Sequence, residues 1–67
     1  MSVYKMLEIV GTSKEGYEQA IREAIEKAGK TVRHMSWFEV TEQRGTIADG
    51  KVAEFQVKLN VGFRIDD

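Results

Sequence analysis

The sequence contains no cysteine and no proline, a single histidine (His34) and a single tryptophan (Trp37). Without cysteine there are no disulfides, thiolate metal sites or thiol nucleophiles. One histidine rules out metal centres built on clustered imidazoles. Neither sign of charge dominates. Ten Lys and Arg stand against eleven Asp and Glu, interleaved along the chain, for a net charge of -1. No basic patch of the kind that holds nucleic acid results. Apolar runs last only a few residues, far short of the roughly 20 a membrane-spanning helix needs. Met1 to Val10 lacks the long apolar stretch of a signal peptide, so a cytoplasmic location is expected. No linker, low-complexity tract or internal repeat is visible.

What remains is a chain of 67 residues, read as one domain over residues 1–67. A domain of this size buries only about 60% of the surface its unfolded chain exposes. Small folds commonly draw on disulfides, a metal or partner subunits for support. With the first excluded and clustered-histidine metal sites gone, self-association is the expected stabiliser, unless the core alone suffices.

Residues Val3 to Val10 read as a strand with apolar groups on both faces: Val3, Leu7 and Ile9 on one, Tyr4, Met6 and Val10 on the other. Gly11-Thr12-Ser13 is expected to break it. Thr12 or Ser13 can cap a helix, and Thr12 with Glu15 has capping-box spacing. A helix is predicted from about Lys14 to Val32. Tyr17, Ala20, Ile21, Ala24, Ile25 and Ala28 recur at the 3.6-residue period and form one apolar stripe. Met35 to Gln43 reads as a second strand, and Asp49-Gly50 as a turn. Val52 to Ile65 has the cleanest pattern in the sequence. Ala53, Phe55, Val57, Leu59, Val61, Phe63 and Ile65 alternate strictly with Glu54, Gln56, Lys58, Asn60, Gly62 and Arg64.

These elements predict an α+β fold of order β-α-β-β, a three-stranded antiparallel sheet curled around one helix. If the helix crosses over between parallel first and second strands, the third strand lies between them. A third strand of roughly 14 residues would extend about 45 Å. A compact domain of this length has a diameter of only about 28 Å. The strand must therefore curl, reach into a neighbour, or both. Two exposed sheet edges add to the case for an oligomer.

In the second strand, Phe38 and Val40 share a face and are the natural core contributors beneath the helix. Period two then sends Trp37 to the opposite face, with Glu39, Thr41 and Gln43. The largest apolar side chain thus faces away from the core. It can serve as a stacking platform for a planar partner or as the anchor of a subunit interface, and pattern alone leaves both open. Gln56 offers a donor and an acceptor side by side on the polar face of the third strand. Catalytic chemistry finds little support. Ser36 and His34 flank Met35 without a third orienting group, and Glu39 and Glu54 read as ordinary surface carboxylates.

Several segments together resemble the dodecin family. They are Glu8-Ile9-Val10-Gly11-Thr12-Ser13, Lys30-Thr31-Val32-Arg33-His34 with Trp37-Phe38-Glu39-Val40, Arg44-Gly45-Thr46-Ile47, Phe55-Gln56-Val57 and Val61-Gly62-Phe63-Arg64. The resemblance covers nearly the whole chain with matching order and spacing. It implies a non-enzymatic flavin-binding protein that stores or photoprotects FMN or riboflavin in a hollow homo-dodecamer built from trimers. It further implies flavin pairs stacked between two symmetry-related tryptophans, a position matching Trp37. A glutamine that hydrogen-bonds the isoalloxazine edge matches Gln56, and a basic residue near the ribityl phosphate matches Arg44. Coenzyme A is a further partner in some members, and no residue here carries it over. One position departs from the family pattern: Ser36 stands where relatives often have an acidic residue, beside Trp37. The alternative to flavin binding is a structural or interaction module with Trp37 as an oligomer interface anchor.

Overall fold

The fold is taken from a computed structural model that describes residues 1–65; residues 66 and 67, part of the domain expected over the whole chain, lie outside the described residues. Its elements follow the expected order: β1 (Tyr4–Ser13), α1 (Tyr17–Ala28), β2 (Met35–Ala48) and β3 (Lys51–Arg64). The three strands form one sheet in the order β1-β3-β2. Both outer strands run antiparallel to β3, so β1 and β2 are parallel and α1 is the crossover between them.

The core lies between α1 and one face of β3. Val57, Leu59 and Val61 are fully buried there with Ala20, and Ile9, Tyr17, Ile21, Ala24, Ile25 and Met35 pack around them. This is the helical stripe and the period-two stripe meeting face to face. Tyr17 closes one end, edge-on to Phe55 with ring centroids 5.0 Å apart. The helix approaches β1 so closely that a Cβ on Gly11 would sit 2.3 Å from the Ala20 carbonyl oxygen and 2.8 Å from the Ala24 Cβ. Glycine at that strand position is what lets two alanines rest on the sheet.

The helix is shorter than its sequence pattern at both ends. Strand β1 does not break at Gly11 but continues to Ser13, paired with β3 through Phe55. The Ser13 hydroxyl accepts a hydrogen bond from the Glu15 amide at 2.9 Å and turns the chain. Helix α1 then starts after Gly16, with no side-chain cap, so neither Thr12 nor Ser13 is the N-cap. At the other end Gly29 stops the helix. Residues 29–32 wind on through turns in which Thr31 and Val32 both donate to the Ala28 carbonyl. Glycine and β-branched residues are poor continuations of a helix. His34, at φ 61°, redirects the backbone into β2.

Strand β2 runs five residues beyond its expected end at Gln43, to Ala48, and pairs with β3 down to a tight turn at Asp49-Gly50, both with positive φ. Its register shifts three times, between Met35 and Trp37, between Val40 and Glu42, and between Thr46 and Ile47. These shifts alter which side chains share a face. The middle one leaves Thr41 without a register partner, its hydroxyl donating to the Lys58 carbonyl at 3.1 Å. Beyond it, Glu42 and Arg44 pair with Lys58 and Gln56 on the face of Trp37, while Gln43 pairs with Val57 on the helix side. The expected grouping of Trp37 with Thr41 and Gln43 is corrected accordingly. The third shift steps over Ala53, so Val52 rather than Ala53 continues the apolar row, opposite Ile47.

Phe38 and Val40 do lie on the helix side, opposite Val61 and Leu59. They are not buried beneath the helix as expected. Helix α1 lies over β1 and β3, leaving the same face of β2 open. Phe38 and Val40 stay 48% and 39% exposed. Ile47 and Val52, at the far end of the β2–β3 hairpin, are 77% and 60% exposed. That end extends past the last β1 pairing at Phe55, and the chain measures 51 × 20 × 13 Å. Its radius of gyration is 13.8 Å, against about 11 Å for a compact domain of this length.

Candidate functional site: the outer face of the sheet

Among the described residues, no other element covers the sheet face away from α1. Strand register sorts its side chains into rows. Met6, Gly62 and Trp37 form one, followed by Glu8, Asn60 and Glu39, then Val10, Lys58 and Glu42, then Thr12, Gln56 and Arg44. The first row is apolar and the remaining ones are mostly charged or polar. All three expected site residues lie on this face.

Trp37 occupies the apolar end. The first register shift of β2, at Ser36, sets Trp37 directly opposite Gly62. Its indole lies against the glycine: a Cβ built on Gly62 would meet the Trp37 ring carbons Cε2 and Cζ2, each at 2.3 Å. The ring of Tyr4 stands beside it, with centroids 5.0 Å apart and the planes tilted by 57°. Trp37 nonetheless remains 44% exposed. An indole supported from below and beside, and open elsewhere, offers a flat apolar surface to a planar group.

Arg44 and Gln56 occupy the polar end. The Arg44 Nε donates to the Gln56 Oε1 at 2.9 Å, and the Arg44 guanidinium pairs with Glu42 at 2.6 Å. The Gln56 amide donates in turn to Glu54 at 3.1 Å. Lys58 reaches Glu8 at 3.5 Å across the same face. This exposed network holds the guanidinium and the amide in fixed directions. Glu42, which sequence periodicity had not placed here, orients Arg44 because the Thr41 bulge turns it to this face. A bulge leaves no mark in apolar-polar alternation, so no signal announced it.

Register also separates the two ends. Gly62, beneath Trp37, and Gln56, beside Arg44, are six positions apart along β3, a span of about 20 Å. One chain therefore does not bring Trp37 together with Gln56 and Arg44. A pocket using all of them has to draw on more than one chain.

The remaining candidates do not assemble into catalytic chemistry. Ser36 lies at the first shift of β2, and its hydroxyl donates to the His34 backbone carbonyl at 3.2 Å, not to the imidazole. Glu39 and Glu54 face Asn60 and Thr46, again six β3 positions apart. Among the described residues, no three or more His, Asp or Glu side chains are placed to hold a metal ion. No helix among them is long and apolar enough to cross a membrane.

Comparison with known proteins decides the family. The family model described as Dodecin matches residues 3–66. The chain belongs to the dodecin family. It is 57% identical to a dodecin of Thermus thermophilus over 65 residues, 97% of this chain and 94% of the relative. It is 35% identical to a protein of Mycobacterium tuberculosis named calcium dodecin, over 97% of this chain and 92% of that one. The solved structure of the Streptomyces coelicolor dodecin superposes with a TM-score of 0.95 at 48% identity, covering 98% of this chain and 94% of the other. Dodecins are small binding proteins, and membership implies that the chain assembles into an oligomer. The open face of β2, the overhanging hairpin and the divided outer face are the surfaces such an assembly would cover or join.

Proposed function

We propose that this dodecin binds FMN or riboflavin without catalysing a reaction, and that it stores and photoprotects the flavin in a hollow dodecamer. The observation that carries the reading is Trp37. It is the protein's largest aromatic side chain, it lies flat on the outer face of the sheet, and it stays 44% exposed there. In the proposed pocket two symmetry-related Trp37 side chains flank a stacked flavin pair. Gln56 reads the donor–acceptor edge of the isoalloxazine, and Arg44 holds the ribityl phosphate of FMN. The 20 Å separation of these residues supports a pocket formed between subunits, with Trp37 and Gln56 contributed by different chains.

The same arrangement supports a reading without catalysis. A flavin with an indole on one face and a second flavin on the other has no open ring face for a substrate. An electron-rich indole in van der Waals contact also quenches the excited ring, which protects both flavin and cell from light-driven chemistry.

Titrating the apo-protein with riboflavin and with FMN, while following flavin fluorescence, tests the reading. Strong, saturable quenching is expected with both. Fluorescence that stays at the level of free flavin would leave Trp37 as an interface anchor and remove the flavin assignment.

A further inference from the structure

The Trp37 platform is built from two residues that neither the sequence pattern nor the proposed pocket assigns. Gly62 is buried near the C-terminal end of β3, the central strand, and its neighbours on that face, Met6, Trp37, Asn60 and Arg64, all carry side chains. Its backbone angle is not one that demands glycine, so the reason for glycine lies in the space above it. That space is filled by the Trp37 ring: Cε2, Cζ2 and Cδ2 would all lie within 2.7 Å of a Cβ at this position. The indole therefore rests on bare backbone. Any larger residue would lift it by more than an ångström to restore ordinary contact, 3.4 Å or more. The second residue is Tyr4, from β1. Its ring stands against the indole at 5.0 Å and 57°, a tilted aromatic pair that resists rotation of Trp37 about its side-chain torsions.

We propose that Gly62 and Tyr4 are positioning residues that seat Trp37, Gly62 setting the height of the indole above the sheet and Tyr4 setting its tilt. The functional consequence rests on the flavin reading. A pair of stacked rings between two indoles fits only if the indoles are separated by the thickness of that pair. Each ring must therefore lie low on its own sheet and parallel to its mate before the ligand arrives. Ring systems thinner or thicker than the pair are rejected by the same fixed gap. Seating in advance also removes the ordering cost that a mobile tryptophan would add to binding.

The experiment uses the assembled protein and takes advantage of Trp37 being the only tryptophan. Near-ultraviolet circular dichroism and time-resolved anisotropy of Trp37 are recorded on the apo-protein for wild type, Tyr4→Phe, Tyr4→Leu and Gly62→Ala. Riboflavin is then titrated into each. Far-ultraviolet dichroism and sedimentation check fold and assembly, and Tyr4, which is exposed, is the variant that keeps the test open should Gly62→Ala fail to fold. Tyr4→Phe keeps the ring and should match wild type in every readout. Tyr4→Leu and Gly62→Ala should each change the near-ultraviolet signal and loosen the indole. Each should also weaken riboflavin binding by about tenfold or more, the scale on which lost preorganisation acts. A folded Tyr4→Leu protein with an unchanged Trp37 signal overturns the seat. So does a loosened Trp37 that still binds riboflavin as tightly as wild type. If wild type itself fails to quench riboflavin while the apo-protein signals change as expected, the flavin reading fails and the seat stands.

Discussion

At the scale of the residue, Trp37 shows how far alternation alone can be trusted. Its outward direction was legible because Phe38 and Val40 compete for the helix side and register places them there. Its support was not legible, since Gly62 and Tyr4 are near it only through strand pairing. The consequence is testable by substitution. Aromatic stacking is worth about 0.5–1.5 kcal/mol beyond the burial of the ring itself, so Trp37→Ala should weaken flavin binding by about tenfold or more. Fluorescence titration reads the loss, and the residual fluorescence of bound flavin should rise. Because Trp37 is half open and outside the subunit core, sedimentation should find the assembly intact. An oligomer that dissolves on this substitution would mark Trp37 as an interface anchor.

Arg44 belongs to the same scale. Its guanidinium is held by the half-buried Gln56 and by Glu42, and the Arg44–Glu42 pair is half exposed. An exposed pair of this kind contributes at most about 1 kcal/mol, so a phosphate can displace Glu42 at small cost. A charge-assisted hydrogen bond to the phosphate is worth about 1.5–3 kcal/mol. Arg44→Ala should therefore weaken FMN binding about tenfold or more beyond its effect on riboflavin. Isothermal titration with the two ligands makes the comparison, and equal losses would take Arg44 away from the phosphate.

At the scale of the element, the sequence was most informative where one pattern ran long. The apolar period of β3 and the stripe of α1 predicted the layer between them, and Val57, Leu59, Val61 and Ala20 are its buried centre. The ends and bulges were hidden for a physical reason. Whether Gly11 stops a strand or lets a helix come close depends on what lies above it, and here the Ala20 carbonyl does. Likewise, Thr41 reads as one more alternating residue until its partner strand skips it, and that skip moves Glu42 and Arg44 to the outer face. The helix–sheet contact gives a stability prediction. Gly11→Ala would place a methyl against fixed backbone, so the helix must retreat from β1. Overpacking of this kind costs about 1–3 kcal/mol, read as a lower midpoint in denaturant unfolding. An unchanged midpoint would show that α1 is free to shift.

At the scale of the whole molecule, the single chain is unfinished. Phe38 and Val40 lie open beside the helix, Ile47 and Val52 stand at the end of an overhanging hairpin, and the outer face holds its aromatic and polar groups at opposite ends. Burial between chains would relieve the first two, and the proposed pocket between chains would relieve the third. The length of β3 announced this in the sequence. The open face of β2 did not, because nothing in the periodicity says that α1 covers β1 and β3 alone. Each chain carries one Trp37, and each flavin of a stacked pair rests on one indole, so the account requires one flavin per chain. Native mass spectrometry of the protein saturated with riboflavin tests assembly and ligand together. The expected mass is near twelve chains of 7.6 kDa, carrying one flavin for each chain. A monomer or dimer, or an assembly that retains no flavin at saturation, would contradict it.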